Sequence, residues 1–522
     1  MNRFHRYLAA VLCAALLLGS VSAFAAQSPR EGAAAFLRQQ AKVPTAGDPY
    51  GDWEIFALAR AGIQVPRGYY AAWLTMAERA LDAAGGQLSG PITGNLRMAL
   101  ALLALDQDLT DVGGHDLLAL VTNTQKVCRT TVMGPAFGIL ILENCGGHEA
   151  EEVYLQHLLD KQLADGGWAL SGQIADPDAT AMTLQALSFF RERPAVQTAI
   201  DRGVERLSTL QQPNGGFTAW GTAGSESISQ AIIALTMLDI DLTDSRFVKQ
   251  GGSLPDALLT YRLEDGSFRH LADGGYDMMA THQALLALES LRRAEEGLPG
   301  VYQLTDRVTV DRAFVGLPGR DERVSVPEKT VNIPTFSDIS GLNEAGAILE
   351  LARRGIVNGV GGGKFAPQME FTRAQFCAMA QRALTLPTYE GAQHFFDVPA
   401  GTWYEGSVNA AFAFGAVNGV GNGLFAPDRV ITRQEAAVLV SRLAAVCGMD
   451  TQLNDTAVTN ILAQFGDRQA CAGWAKAGLA FCYQNGILDD SALNIDPTAP
   501  VTRAEAAAMF HALLDAALLL EN

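Results

Sequence analysis

The sequence predicts an all-α protein in which a linker joins two repetitive parts. Apolar residues recur at helical spacing through residues 28–296 and again through residues 335–520. A loop with glycine and an aromatic residue returns about every 50 residues in the first part, and a second motif occurs three times in the last third of the chain. Repeated units of this size predict helices that stack or close into a ring.

Composition restricts the class of protein. The chain has 522 residues, of which 48% are hydrophobic and 18% are charged, as is typical of globular proteins. The formal net charge is −18, so the chain offers little basic surface to neutralise phosphates. We therefore expect several globular domains and no nucleic-acid partner.

Residues 1–26 have the features of a signal peptide. A basic start with Arg3 and Arg6 precedes the apolar run Leu8–Leu18, and positions 23–25 read Ala-Phe-Ala, a small-x-small cleavage site. The run is shorter than the roughly 20 residues of a membrane-spanning helix, and no later stretch is a candidate. We predict an exported protein that is retained at the surface by binding, with no transmembrane segment after signal cleavage.

Six cysteines follow the signal peptide: Cys128, Cys145, Cys377, Cys447, Cys471 and Cys482. Their spacing matches neither a disulfide framework nor a CxxC metal site. Free or buried thiols are the favoured interpretation. Cys128 with Cys145 is the expected pair if a bridge forms.

The loops of the first part repeat a glycine-containing turn followed by an aromatic residue. The copies are Asp165–Trp168, Asn214–Phe217 and Asp265–Phe268, so the aromatics are 49 and 51 residues apart (168 to 217, 217 to 268). Glycine permits the left-handed turn at a helix end. We expect the aromatic ring to fill the gap between neighbouring helix pairs.

These loops resemble the Gln-Trp motif of the α/α toroid found in terpenoid cyclases and protein prenyltransferases. The segment Asp176-Pro177-Asp178-Ala179-Thr180-Ala181 also resembles the acidic motif of squalene–hopene-type cyclases. The resemblance implies a toroid of about six helical hairpins over residues 28–296. It places the alkene-protonating acid at Asp178, although the third acidic position of the motif is Ala179.

Helix capping is the alternative interpretation of these acids, and the one we favour. Asp176 or Asp178 would cap the following helix, whose N-terminus attracts negative charge. Glu226 occupies the equivalent place in the next hairpin, and Asp277 lies near it in the third. Repeated capping predicts this recurrence.

The toroid is also expected to present a polar cup at one end. Its predicted lining is Trp168, Asp176, Asp178, Trp220, Glu226, Tyr276 and His282. A lone histidine is more often a core or pocket residue than a metal ligand, and the Asp-x-Cys zinc partner of prenyltransferases is absent from the sequence. We predict no metal and no cofactor, and a toroid ligand that the sequence does not identify.

The motif of the last third opens with an aromatic residue and an aspartate and closes with a Thr-Arg pair before an apolar helix. The openings are Phe336–Asp338, Phe395–Asp397 and Phe465–Asp467, and the closings are Thr372-Arg373, Thr432-Arg433 and Thr502-Arg503. Gln375, Glu435 or Glu505 follows each threonine by three residues, which predicts a capping box. Arginine at the first helical position opposes the helix dipole, so its repetition needs an explanation.

These repeats resemble the S-layer homology module. We place the modules at 335–390, 394–450 and 463–520, after a linker at 297–334. The resemblance implies binding of an acidic, typically pyruvylated, secondary cell-wall polysaccharide. The implied site residues are Arg373, Arg433, Arg503, Asp338, Asp397, Asp467, Trp403, Trp474, Gly359 and Gly419. The alternative role for each arginine is an internal salt bridge to the aspartates of its own repeat.

We therefore predict an exported protein on the surface of a Gram-positive-type bacterium, in the cell wall or S-layer. The three terminal modules would anchor it non-covalently, and the toroid would bind a ligand or partner without catalysis. A wall-anchored enzyme that uses Asp178 as its acid is one alternative. A purely structural S-layer component is the other.

Overall fold

The computed structural model describes residues 28–219, 221–332 and 334–520. Within them the chain is mostly helical and forms two compact units. One unit extends to Val65 and from Trp73 to Val310, and the other contains Pro66–Ala72 and continues from Asp311. None of the described helices is long and apolar enough to cross a membrane. The predicted signal peptide lies outside the described residues.

The N-terminal unit is built from helices and one two-stranded ribbon. The helices are α1 (Pro29–Gln40), α2 (Pro49–Arg60), α3 (Tyr69–Ala83), α4 (Ile92–Ala104), α5 (Leu118–Val121), α6 (Thr124–Val127), α7 (Met133–Leu142), α8 (Ala150–Asp160), α9 (Pro177–Leu187), α10 (Pro194–Leu210), α11 (Ser225–Met237), α12 (Leu254–Leu259) and α13 (Met278–Glu295). The ribbon pairs β1 (Thr218–Ala219) with β2 (Thr222–Ala223) in antiparallel register. Short 3-10 turns follow α7 and α9.

Six of these helices form a closed inner ring. In chain order α2 packs against α4, α4 against α7, α7 against α9, α9 against α11 and α11 against α13, and α13 returns to α2. Helices α1, α8, α10 and α12 pack outside this ring, on α13, α7, α9 and α11. The inner helices are enclosed by neighbours, as α7 shows, where every residue from Gly134 to Leu142 is buried. The predicted α/α toroid is therefore confirmed by the closure of the ring itself.

A buried ionic network joins the two ends of the ring. Glu289 on α13 is fully buried and lies 2.6 Å from Arg30 of α1 and 2.8 Å from Arg293. Arg293 is in turn 2.6 Å from Asp306, which also pairs with Arg60 of α2 at 2.8 Å. Because each buried charge has a partner of opposite sign, the network avoids the large penalty of an isolated buried ion.

The Gly-aromatic loops have the predicted conformation. Gly166, Gly215 and Gly266 adopt φ values of +94°, +85° and +90°. The aromatic rings that follow them are at most 1% exposed. Trp168 packs so closely on α10 that a Cβ at Gly203 would lie 2.7 Å from the indole ring. The aromatic residue therefore fills the gap between one hairpin and the next.

The N-terminal unit continues beyond the boundary predicted at residue 296. Tyr302 is fully buried and stacks on Phe56 with ring centroids 5.3 Å apart. The Nε atom of Arg60 donates to the carbonyl oxygen of Val301 at 2.8 Å. The first part of the predicted linker is thus packed against α2.

The C-terminal unit contains three pairs of a short and a longer helix, with one extra helix before the third pair. The helices are α14 (Ala345–Arg353), α15 (Arg373–Ala383), α16 (Glu405–Ala413), α17 (Arg433–Val446), α18 (Asp455–Leu462), α19 (Lys476–Gln484) and α20 (Arg503–Ala516). Short 3-10 turns precede α19. The predicted capping boxes are present at the starts of α15, α17 and α20.

The three modules close on one another around a pseudo-threefold centre. Phe371 N donates to Val501 O at 2.9 Å, Ile431 N to Phe371 O at 2.9 Å, and Val501 N to Ile431 O at 3.0 Å. Each longer helix then packs on the short helix of the following module: α15 on α16, α17 on α19, and α20 back on α14. The modules therefore share their cores in a cycle.

The six cysteines of the described residues are unpaired. The bridge considered between Cys128 and Cys145 is absent from the structure. Cys377, Cys447, Cys471 and Cys482 are buried in the C-terminal core. Burial raises the pKa of each of these four thiols, so they behave as small apolar side chains.

Candidate functional site

The predicted acids lie at the N-terminal ends of the inner helices, and two of them are helix caps. Asp176 is the N-cap of α9 and accepts a hydrogen bond from Ala179 N at 2.9 Å. Asp277 caps α13 in the same way through Ala280 N at 2.9 Å. The capping interpretation is correct for these two aspartates. It is wrong for Asp178 and Glu226, whose side chains cap no helix.

Asp178 lies in the first turn of α9, and its environment favours the protonated acid. Burial is the main cause that raises the pKa of Asp178 to about 6. A hydrogen bond from Ser227 lowers this pKa, and the negative charges of Asp176 and Glu226 raise it by smaller amounts. The Oδ1 atom of Asp178 is buried and accepts no hydrogen bond from any of the described residues. A carboxyl that titrates near neutral pH is suited to proton transfer.

The carboxylate of Glu226 contacts His270, which lies in the loop that precedes α13. The Nδ1 atom of His270 lies 2.8 Å from both carboxylate oxygens of Glu226. Side-chain exposure is 50% for His270 and 19% for Glu226. Glu226 is the second residue of α11, whose N-cap is Gly224, so its carboxylate contacts His270 and caps no helix.

Two residues predicted to line the cup are instead inside the protein. Trp168 is fully buried, and its Nε1 donates to Leu158 O at 2.7 Å, so the ring is a packing element. His282 is also fully buried, and neither ring nitrogen has a hydrogen-bond partner among the residues that the structure describes. Burial lowers the pKa of His282 to about 3, so the imidazole is neutral. Its closest acidic neighbour is Glu54, whose Oε2 lies 4.0 Å from Nε2.

The other predicted cup residues differ in their placement. Tyr276 is 59% exposed and packs on Phe36 with ring centroids 5.5 Å apart. Trp220 lies outside the described residues. The structure thus brings together Asp176, Asp178 and Glu226, while Trp168 and His282 lie in the interior.

The opposite end of the toroid has a depression that the sequence did not indicate. It has a volume of about 420 Å³ and includes Arg191, Thr236, Asp239, Ser290 and Gln303. Arg191 and Asp239 form an ion pair at 2.5 Å across it. Its residues come from helix ends and loops without a repeated motif, so no sequence signal marks them.

In the C-terminal unit each Thr-Arg arginine reaches into the next module. We name these places junction 1–2 at Arg373, junction 2–3 at Arg433 and junction 3–1 at Arg503. The backbone geometry is the same at all three: the arginine N donates to Arg429 O, Ala499 O or Met369 O at 2.9–3.0 Å. The predicted alternative, a salt bridge to the aspartates of the same repeat, is wrong because all three guanidinium groups contact the following module.

Arg373 is held at junction 1–2 by backbone and aromatic contacts. Its Nε donates to Phe425 O at 2.9 Å, and its guanidinium carbon lies 4.7 Å from the centre of the Phe425 ring. Glu435 lies 3.5 Å from Nη1 of Arg373, and the Arg373 side chain is only 8% exposed. Burial lowers the pKa of Arg373, and Glu435 opposes that shift.

Junction 1–2 opens into a groove of about 420 Å³. Its lining includes Arg373, Arg429, Arg442, the Asn418-Gly419 backbone and Trp474. The indole of Trp474 is 61% exposed, and Trp403 is 64% exposed. Arg429 and Arg442 were not predicted from the sequence. The signal for Arg442 was available, since arginine stands ten residues after the capping threonine in two of the three copies.

Arg433 has acidic partners at junction 2–3. Its Nη1 donates to Ile495 O at 2.6 Å, and its Nη2 lies 2.7 Å from Glu505. Asp496 is 3.9 Å from Nη1. The charge of this arginine is therefore compensated within the protein.

Arg503 completes the cycle at junction 3–1. Its Nε donates to Phe365 O at 3.0 Å and its Nη2 to Asn358 O at 2.8 Å. The guanidinium carbon is 4.6 Å from the centre of the Phe365 ring. Arg373 and Arg503 thus both contact a phenylalanine ring and its carbonyl oxygen. Arg433 has the closer carboxylate, with Glu505 at 2.7 Å against 3.5 Å between Arg373 and Glu435.

The aspartate that opens each repeat stabilises, by hydrogen bonds to backbone N–H groups, the loop that an arginine contacts. Asp338 accepts from Phe365 N and Ala366 N at 2.8 Å, and Asp397 and Asp467 make the equivalent pairs at 2.7–2.8 Å. Their carboxylates are therefore engaged with backbone. Gly359 and Gly419 are sterically required, since a Cβ would lie 2.7 Å from Lys364 O or 2.5 Å from Leu424 O.

The C-terminal unit is therefore a cycle of three helical modules with an arginine at each junction. Residues 335–377, 394–437 and 464–507 match the family model of the S-layer homology domain. The chain contains three S-layer homology domains, and it is a cell-surface, cell-wall-associated bacterial protein.

Known proteins with similar sequence carry different additional regions. The amylopullulanase of Thermoanaerobacterium thermosulfurigenes is 34% identical over 185 residues, which are 35% of this chain and 10% of that protein. The surface-layer 125 kDa protein of Lysinibacillus sphaericus is 31% identical over 179 residues, 34% of this chain and 14% of that protein. The exoglucanase XynX of Acetivibrio thermocellus is 32% identical over 183 residues, which are 35% of this chain and 16% of that protein. The chain thus spans at most 16% of these relatives.

Solved structures similar to this chain include two enzymes. The type II terpene cyclase MstE from Scytonema is 14% identical, with a TM-score of 0.36, over 52% of this chain and 98% of that one. The unsaturated glucuronyl hydrolase from Bacillus sp. GL1 is 11% identical, with a TM-score of 0.37, over 53% of this chain and 98% of that one. Scores this low support no inference, and the toroid assignment rests on the closed helix ring.

Proposed function

We propose that the three S-layer homology domains anchor the chain non-covalently to an acidic, typically pyruvylated, secondary polysaccharide in the wall of a Gram-positive-type bacterium. The observation that carries this proposal is the groove at junction 1–2, where Arg373, Arg429 and Arg442 face the same space. Glu435 is the one acidic residue in its lining, so the groove keeps a net positive charge. A carboxylate on a sugar is the complementary group.

The geometry suits a guanidinium–carboxylate contact. Arg373 is oriented by Phe425 O and by the Phe425 ring, so little side-chain freedom remains to be lost on binding. The exposed indole of Trp474 in the same groove offers an apolar face to a sugar ring. Asp338, Asp397 and Asp467 would act as positioning residues, because their carboxylates shape the loops.

Wall sedimentation tests the anchor directly. The mature chain should sediment with purified Gram-positive walls and stay in solution after the acidic polymer has been stripped from them chemically. A chain with Arg373→Ala and Arg503→Ala tests whether retention depends on the junctions. Equal retention on stripped and intact walls would show that another component holds the protein.

For the toroid, the proposed role is binding of a ligand or partner displayed at the surface. A specific observation favours a second candidate, an enzyme that uses Asp178 as an acid: the Oδ1 atom is buried without a partner, and the pKa is raised to about 6. Mass spectrometry of small molecules extracted from the purified chain separates the two. An enzyme converts the recovered compound and loses that conversion in Asp178→Asn, whereas a binding protein returns it unchanged.

A further inference from the structure

We propose that junctions 1–2 and 3–1 each bind the acidic polymer through a pair of arginines, and that junction 2–3 does not bind it. This inference rests on the proposed wall anchoring and assigns it to two of the three junctions. The second arginines are Arg442 at junction 1–2 and Arg382 at junction 3–1.

Arg382 and Arg442 occupy equivalent positions and make equivalent contacts. Each lies ten residues after the capping threonine of its module. Arg442 Nη1 donates to Ala416 O at 3.3 Å, and Arg382 Nη1 donates to Ile356 O at 3.0 Å. In the part of the chain that the structure describes, neither is paired with a carboxylate. Both guanidinium groups therefore keep a charge that the protein does not neutralise.

Each second arginine belongs to the same junction as a Thr-Arg arginine. Arg442 and Arg373 line one groove. Arg382 donates to Ile356 O and Arg503 donates to Asn358 O, carbonyls two residues apart in the same loop, which places these two cations close together. The charge of Arg382 accordingly adds to the burial that lowers the pKa of Arg503. A pair of like charges is held near each other at a free-energy cost, and an anionic ligand would relieve that repulsion.

Junction 2–3 has the opposite charge. Ala512 stands where Arg382 and Arg442 stand in the other modules. Asp489 and Asp490 replace the Asn-Gly pairs Asn358-Gly359 and Asn418-Gly419.

The remaining arginine of this junction is already neutralised. Glu505 lies 2.7 Å from Arg433, while the equivalent residue at junction 3–1 is the neutral Gln375. At junction 1–2 the equivalent residue is Glu435, 3.5 Å from Arg373, but Arg429 and Arg442 line the same groove and leave an excess of positive charge. A polyanion approaching junction 2–3 would therefore meet more negative than positive side chains. Repulsion of this kind excludes a ligand more effectively than the loss of one attractive contact.

Two binding junctions on one chain have a consequence for retention. A polymer or wall surface that engages both sites gains from effective concentration, so its apparent affinity exceeds that of either site alone. Loss of one second arginine should then weaken wall binding about 100-fold by removing bivalency, while a short monovalent sugar would still occupy the other site.

Titration calorimetry with a methyl hexosaminide bearing one pyruvyl ketal counts the sites on the full mature chain. We expect two per chain, one in Arg382→Ala, one in Arg442→Ala, and none in the double variant. Arg433→Ala removes the arginine of junction 2–3 and, although less stable, should retain two sites while it is folded. Three equivalent sites, or a single one, in the unaltered chain would overturn the inference.

A gain of function provides a test that loss of folding cannot imitate. The triple variant Ala512→Arg, Asp489→Asn, Glu505→Gln copies the first module into junction 2–3 and should raise the count to three. A count that stays at two would contradict the charge argument.

Wall sedimentation separates this inference from the proposed function. Failure of the unaltered chain to bind intact walls would refute the wall anchor. If the unaltered chain binds intact walls and a folded Arg382→Ala, Arg442→Ala variant is retained equally well, the claim that arginine pairs bind the polymer is wrong. The wall anchor itself would stand. The same comparison decides the matter if the monosaccharide binds too weakly for its sites to be counted.

Discussion

The junctions and the Asp178 end of the toroid treat buried polar groups in opposite ways. At the junctions, each guanidinium donates to a backbone carbonyl of the next module, as Arg373 does to Phe425 O. In the toroid, Oδ1 of Asp178 and both nitrogens of His282 are buried without hydrogen-bond partners in the described ranges 28–219, 221–332 and 334–520. Native proteins rarely leave such groups unsatisfied. Buried polar groups with hydrogen-bond partners thus hold the modules together. Buried polar groups without such partners lower the folding stability of the toroid at Asp178 and His282.

Arg433→Ala should cause the largest loss of folding stability among these variants. It tests whether the hydrogen-bonded arginines at the junctions hold the modules together. The change removes two charge-assisted bonds, to Ile495 O and Glu505, each of which contributes about 1.5–3 kcal/mol. We expect the free energy of unfolding of the C-terminal unit to fall by about 3 kcal/mol. Denaturant unfolding followed by tryptophan fluorescence measures this, with Arg442→Ala as the control that loses little. A loss below about 1 kcal/mol would mean that these contacts are not structural.

Arg373→Ala should lower both stability and wall affinity. A salt bridge on the surface contributes only about 0–1 kcal/mol, but this side chain is buried against Phe425, so the stability loss should exceed that range. Loss of one charged hydrogen bond to the ligand should weaken wall binding by about 1.5–3 kcal/mol. Lysine should rescue binding only in part because it lacks the planar fork. Full binding by the folded alanine variant would remove Arg373 from the site.

Asp178→Asn should stabilise the toroid, with a defined pH dependence. The folded pKa of about 6 lies above 3.8, the ordinary pKa of an aspartate, so the folded state binds more protons between these values. The stability contribution of Asp178 is present below pH 3.8 and is lost as the pH rises through about 6. We expect the variant to gain about 1–3 kcal/mol over the unaltered chain at pH 7, and almost nothing at a pH of about 3, below the unfolded pKa. A difference independent of pH would disprove the raised pKa.

His282→Met should have the smallest effect. The substitution removes two buried nitrogens without partners and keeps an adaptable side chain of similar size. Because an unsatisfied buried polar group costs about 1–3 kcal/mol, stability should be unchanged or rise by about 1 kcal/mol. Thermal unfolding at two pH values checks this. A loss above about 2 kcal/mol would reveal a partner of His282 in solution.

The sequence was sufficient for features set by local pattern. The capping boxes at Thr372, Thr432 and Thr502 and the left-handed turns at Gly166 and Gly215 follow from residues a few positions apart. The repeat period predicted helical hairpins, and the resemblance of the loops predicted their closure into a toroid.

Features that depend on distant partners could not be predicted. The contact of Arg373 with Phe425 spans 52 residues, and nothing near Arg373 distinguishes that contact from an internal salt bridge. His282 lies on a helix whose apolar stripe does not show whether its face meets the cup or the core. The polysaccharide-binding residues remain predictions, as do the domain limits and the signal peptide.

The cycle in which each longer helix covers the short helix of the next module fixes the number of modules. A chain cut after the second module would leave α14 without α20 and would lose Val501 from the hydrogen-bonded triangle. The exposed apolar faces would then be covered by another molecule or aggregate. A single proteolytic cut within any one module should therefore disrupt the shared cores of all three, so the cycle is lost as one unit.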